Sequence, residues 1–204
     1  MDRLHDSESV GAAVEDRIRP YDYSRRVGEE PISWERFEQL ARQLAVQIEA
    51  DEPQIILGIA RGGLIPATVI SFMLRRELYP VRLTRRLNDT VVRPQPTWLV
   101  RPPDKVRGRR VVIVDEIADS GRTIAMAAEE VRQMGASHVR TAVLYAHTWA
   151  DPRPDFVGLT SDALILNPWD REVLVGGQFV THPELAAALR MQRDAAGESS
   201  ASQT

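Results

Sequence analysis

Between Trp34 and Ile48 the apolar residues Trp34, Phe37, Leu40, Ala41, Leu44, Ala45 and Ile48 recur at helical spacing, and Ser33 stands where an N-cap belongs. The pattern predicts an amphipathic helix ending near Ala50. A mostly apolar run of strand length, Gln54 to Ile59, leads through Gly62 and Gly63 into the apolar stretch Leu64 to Leu74. Strand, glycine turn and helix is the natural parse. Val81 to Thr84 reads as a second strand, and Val111 to Val114, wholly β-branched and flanked by charge, as a central strand buried on both faces. A helix follows from Ser120 to Met134, stopped by Gly135. Val139 to Ala146 and Ala163 to Leu166 are further strands, and the capping-box pair Thr181 and Glu184 opens a last helix through about Arg193. Strands alternating with helices predict an α/β fold, an open, mainly parallel twisted sheet flanked by helices. No internal repeat is visible.

Residues 1–28 are polar and aperiodic, and 195–204 are small and polar; both are expected to be mobile, leaving 29–194 as the folded domain. Residues 85–110 hold four prolines and little periodicity, which predicts a long excursion, a hairpin or a small hood or lid. The 204 residues, 43% of them hydrophobic, suffice for one real core. The absence of cysteine excludes disulfides, thiolate zinc sites and a cysteine nucleophile. No apolar run approaches a membrane span and the first residues lack a secretion signal, so a cytoplasmic protein with no membrane partner is expected.

The net charge of -3 argues against a surface built for nucleic acid. Between Arg75 and Arg110, however, eleven basic residues face three acidic ones, and the local charge of +8 points either to contact with anions or to a solvated stretch of a sequence that uses arginine everywhere. Of the 26 basic residues only Lys105 is a lysine.

In an open α/β sheet ligands bind beyond the carboxyl ends of the strands. The sequence VVIVDEIADSGRT, residues 111–123, delivers Asp115 and Glu116 there and then turns into a helix. The backbone N–H groups of Ser120, Gly121, Arg122 and Thr123, with the two hydroxyls beside them, form a phosphate cradle. The adjacent carboxylates suit vicinal hydroxyls or a magnesium ion, so one turn offers a site for a sugar phosphate. A nucleoside triphosphatase would share VVIVDE but needs Gly-Lys-Ser/Thr in its phosphate loop, and Lys105 follows Asp104 and precedes Val106.

Residues 111–123 resemble the diphosphoribosyl-phosphate motif of the type I phosphoribosyltransferases. IARGGL, residues 59–64, is similar to that family's pyrophosphate loop. ALILNPWD, residues 163–170, is similar to the base-binding segment of its xanthine-guanine and hypoxanthine group. The resemblance implies Mg2+-dependent transfer of phosphoribosyl from 5-phosphoribosyl 1-diphosphate to guanine, xanthine or hypoxanthine, by a homo-oligomer (dimer or tetramer). It assigns Arg61, Gly62 and Gly63 to pyrophosphate, with a cis peptide before Arg61. Asp115 and Glu116 go to the ribose and, mostly indirectly, to the metal, and Asp119 to Thr123 go to the 5′-phosphate. Asp119 becomes the general base, and His147, Trp169 and Asp170 contact the base. Structural alternatives remain: a helix N-cap for Asp119, a core position for Trp169, a strand-end polar residue for His147 and a plain turn for Gly62 and Gly63. Purine members carry a lysine where His147 stands, and commonly a serine at Ala60 and an aspartate at Glu116. In the family the basic excursion folds over pyrophosphate or contacts a neighbouring subunit. A regulator on the same fold, binding the diphosphate or a nucleotide together with a nucleic acid or protein partner and without turnover, is the alternative function.

Overall fold

Alternation along the central strands decides the layers. The computed structural model describes residues 25–84, 86–87, 90–91, 96–183 and 185–192. In β2 (Ile55–Ile59) and β7 (Arg110–Ala118), side chains Ile55, Leu57, Ile59, Val111 and Ile113 bury on one face, against Ile124, Ala127, Ala128 and Val131 of α3 (Arg122–Gln133). Their alternates Ile56, Val112 and Val114 bury on the other, against α1 (Trp34–Glu49) and α2 (Leu64–Leu74). An all-apolar strand is what a sheet covered on both faces requires.

The main sheet has six strands in the order β6-β3-β2-β7-β8-β9, where β3 is Glu77–Thr84, β6 Thr97–Val100, β8 His138–Ala146 and β9 Phe156–Thr160. All pairings are parallel except that of β6 with β3. The expected open parallel sheet flanked by helices is therefore present. Ser33 caps α1 as its position predicts, its side chain accepting from the Arg36 N–H at 3.1 Å.

Smaller sheets stand beside the main one. β1 (Glu29–Pro31) runs parallel to β10 (Leu164–Leu166), and β11 (Glu172–Val175) folds back on β12 (Gln178–Thr181). Gly176 and Gly177 turn that hairpin with φ of 57° and 82°, the left-handed pair a two-residue turn demands. Thr181 closes β12 and residues 185–192 are helical, while Glu184, its expected capping partner, lies outside the described residues.

One expectation changes and another is refined. The segment 25–28, read as the end of a mobile extension, is docked: the Val27 N–H donates to Asp162 O and the Gly28 carbonyl accepts from Leu164 N–H, each at 2.9 Å. Residues 1–24 and the expected tail at 195–204 lie outside the described residues. The excursion is a hairpin in part, with β6 returning along β3 and the two-residue strands β4 (Arg86–Leu87) and β5 (Thr90–Val91) paired beyond it.

Ile113 is wholly buried at the centre of β7. Ile113→Ala should lower unfolding free energy by about 2–5 kcal/mol in chemical denaturation, and a loss below about 1 kcal/mol would contradict a close-packed double-faced core.

Candidate active site

β7 does not stop at Val114; it runs on to Ala118, so Asp115 and Glu116 lie within the strand rather than at its end. Both lie against the loop after β2. A β-carbon placed on Gly63 would stand 2.6 Å from Ile59 O, 2.7 Å from Asp115 Cα and 2.8 Å from Asp115 Oδ1, and one on Gly62 would meet Glu116 Oε2. The glycines therefore bring backbone directly onto the acidic pair, which a plain strand-to-helix turn would not need. The Ala60–Arg61 peptide is cis, as the resemblance implied.

Beyond Ala118 the chain enters the cradle. Gly121, at φ 75°, is the N-cap of α3, so that helix begins at Arg122 and Asp119 is not its cap. The Asp151 N–H donates to Ser120 O at 3.3 Å, and a β-carbon on Gly121 would lie 2.1 Å from Pro152 O. Residues 151 and 152 thus wall the cradle from the β8 side.

Desolvation pushes the Asp115 carboxyl up to about 7, against the smaller opposing effect of the Glu116 N–H that its Oδ1 accepts at 2.8 Å. Glu116 Oε1 accepts a hydrogen bond from Asn167 Nδ2, and Asn167 Oδ1 accepts one from the Tyr145 hydroxyl at 2.9 Å. Burial first, and the Glu116 charge second, keep Tyr145 protonated well beyond the ordinary phenol range. A buried relay thus joins the end of β8 and the segment 163–170 to the acidic pair.

Asp119 sits beyond β7, its Oδ1 accepting the Trp149 Nε1–H at 3.2 Å with Arg26 Nη2 at 3.5 Å. His147, which the resemblance places against the base, lies behind Asp119. It has no exposed surface, and its Nδ1 lies 2.6 Å from Ser161 O. A carbonyl only accepts, so Nδ1 carries the hydrogen and Nε2 is a lone pair. That Nε2 has no hydrogen-bond partner among the described residues and lies 3.9 Å from Asp119 Oδ1. Burial, foremost, lowers the His147 pKa and keeps the ring neutral. It stacks under Trp149 at 4.3 Å, its Nε2 on the side of Asp119.

Trp169 is half-buried and packs on Phe37 and Trp34 at 5.2 and 5.8 Å, tying its segment to α1. Asp170 is exposed, 3.9 Å from His182 Nε2.

The basic excursion divides. Lys105, Arg107, Arg109 and Arg110 line a cleft with Glu52, Arg75, Arg76 and Glu77 at the amino ends of β2, β3 and β7. The nine residues of β7 separate that end from the cradle by roughly 30 Å. Arg101 is ion-paired to Glu130 on α3.

Among the described residues no group of three or more metal-ligating side chains occurs. The Asp115 and Glu116 pair nevertheless fits Mg2+, which keeps waters and substrate oxygens and takes few protein ligands. No helix among the described residues is long and apolar enough to cross a membrane.

Residues 32–173 match the family model described as the phosphoribosyl transferase domain. The chain belongs to the phosphoribosyltransferase family. It is 32% identical over 164 residues to a xanthine-guanine phosphoribosyltransferase of Nitratidesulfovibrio vulgaris, covering 76% of this chain and 92% of that one. It is 29% identical over 156 residues to the enzyme of that name from Cereibacter sphaeroides, covering 68% and 85%. The crystal structure of a purine phosphoribosyltransferase from Pyrococcus horikoshii superposes with a TM-score of 0.64 at 27% identity, over 72% of this chain and 97% of that one.

Four residues of this phosphoribosyltransferase site escaped the sequence reading: Tyr145, Asn167, Trp149 and Arg26. Asn167 lay in a motif already noted, and its polarity beside an apolar strand was the available signal. Trp149 and Arg26 gave none, because their partner Asp119 is remote in sequence.

Because the Asp115 pKa is raised from 3.8, its ionisation costs the folded, ligand-free enzyme stability as pH climbs from about 4 to about 7. Asp115→Asn should therefore gain on the wild type with rising pH, by on the order of 4 kcal/mol at pH 7.5 and almost nothing at pH 4. Thermal unfolding without metal at both pH values checks this; an equal difference at the two would sink it.

Proposed function

We propose that this phosphoribosyltransferase, with Mg2+, moves the 5-phosphoribosyl group of 5-phosphoribosyl 1-diphosphate to a 6-oxopurine (guanine, xanthine or hypoxanthine) in nucleotide salvage. The observation that carries the proposal is the packing of Gly62 and Gly63 onto Glu116 and Asp115, which unites an anion loop, an acid pair and the Ser120–Thr123 cradle at one sheet end. The relatives named for xanthine and guanine transfer support the base class.

In this reading the N–H groups of residues 120–123 hold the 5′-phosphate at the α3 N-terminus. Asp115 and Glu116 accept the ribose hydroxyls and would hold the metal, whose chemistry is to neutralise charge on the diphosphate. Arg61, exposed on its loop, meets the leaving pyrophosphate. The bond from the anomeric carbon to pyrophosphate breaks, a bond to the purine ring nitrogen forms, and the ring proton passes to Asp119 and on to solvent. Most of the rate gain comes from alignment and fixed charge. His147, closed in and neutral, contributes no cation to the base. Trp169 and Asp170 belong to the base segment, which Asn167 fastens to Glu116.

Pyrophosphate release, measured over a panel of purine and pyrimidine bases, should appear with a 6-oxopurine, stop on chelation and return with Mg2+. No release with any base would favour the non-catalytic regulator. Asp119→Asn should lower kcat by about 10²- to 10⁴-fold with little change in KM for the diphosphate, and an unchanged kcat removes its role.

A further inference from the structure

Arg26 lies outside the matched residues 32–173, yet it reaches the proposed base. Its position is fixed by its own backbone. Besides the bonds of Val27 and Gly28 to Asp162 and Leu164, the Gln192 side-chain amide donates to Arg26 O at 3.4 Å and Gly28 O at 3.2 Å. The segment continues directly into β1 on the β10 ladder. Its side chain is only 6% exposed, so the guanidinium is delivered inward, 3.5 Å from Asp119 Oδ1.

The same oxygen accepts the Trp149 indole N–H, and that indole is itself held: it stacks on His147, and the Arg25 guanidinium lies 4.4 Å from its ring centroid. A carboxylate that must meet a ring proton loses alignment by rotating about its own bond. An indole N–H bonded to that oxygen and a charged guanidinium ion-paired to it from another direction together oppose that rotation. Neutral His147, its lone pair toward Asp119, offers no comparable donor.

We propose that Arg26 is a positioning residue for Asp119, supplied by the segment that precedes the common domain and acting together with Trp149. This rests on the reading of Asp119 as the general base. It makes residues 25–28 part of the active site. The reach of a guanidinium into a buried corner, with its backbone fastened to two other elements, is more than solvation of a surface cation requires.

The test uses the full chain with Arg26→Ala, Arg26→Met and Arg26→Lys, each also combined with Asp119→Asn. Met keeps the apolar stem should Ala fail to fold, as thermal unfolding reports. Removing the charge should lower kcat about 10- to 100-fold while KM for the diphosphate stays within about twofold, Lys should restore most of it, and in Asp119→Asn the further change should cause no added loss. A loss that appears in KM, persists undiminished in Asp119→Asn or is not restored by Lys overturns the proposal. If the wild type releases no pyrophosphate, the proposed function falls separately. Calorimetric binding of guanosine 5′-monophosphate then decides: coupling of about fivefold or more between Arg26→Met and Asp119→Asn sustains the link, and additive effects overturn it.

Discussion

The approach of the loop after β2 to the end of β7 leaves no room for a β-carbon at Gly63, where Ile59 O and Asp115 Cα both lie within 2.7 Å. Everything proposed for the site depends on that contact. In the proposed reading it sets an anion loop against two carboxylates that would otherwise repel a diphosphate, and it leaves Asp115 so poorly solvated that its proton is held to about 7. The ligand thus enters a place where charge has already been balanced against burial, the condition under which fixed dipoles act most strongly.

Around this contact the polar groups form two separate supports. Tyr145 and Asn167 brace Glu116 from the end of β8 and from β10's outflow, and Trp149 and Arg26 brace Asp119 from the loop after β8 and from the N-terminal segment. Both draw on the end of β8, because β8 is the neighbour of β7 and its chain leaves the sheet at the same edge. His147 donates its N–H to Ser161 O and in this way ties the same edge to the connection between β9 and β10.

The basic stretch shows how far charge counting reaches. Its excess was visible along the chain, but its placement was not, since β6 runs antiparallel to β3 and carries the chain back toward the amino ends of the parallel strands. The arginines of 107–110 end beside Glu52 and Glu77, while Arg85 and Arg93 lie outside the described residues. His147 makes the same point on a smaller scale: its position after β8 was predictable, but whether it faced ligand or core depended on a tryptophan two residues on folding over it.

The amino-acid sequence alone determined the alternation of the principal strands and helices, the double-faced burial of β7, the glycine loop, the acid pair and the cradle, because period, β-branching and turn chemistry act between near neighbours; the edge strand β9 and the hairpin of β11 and β12 were not legible in it. Even there it placed the end of β7 at Val114, four residues short, since a carboxylate inside a strand reads as a boundary until its partners are known. Only the tertiary structure decided that Gly62 and Gly63 rest on Glu116 and Asp115, that Asn167 reaches Glu116, and that Arg26 reaches Asp119 across more than ninety positions. Such contacts join residues distant along the chain, and what enforces them is the packing of a completed sheet.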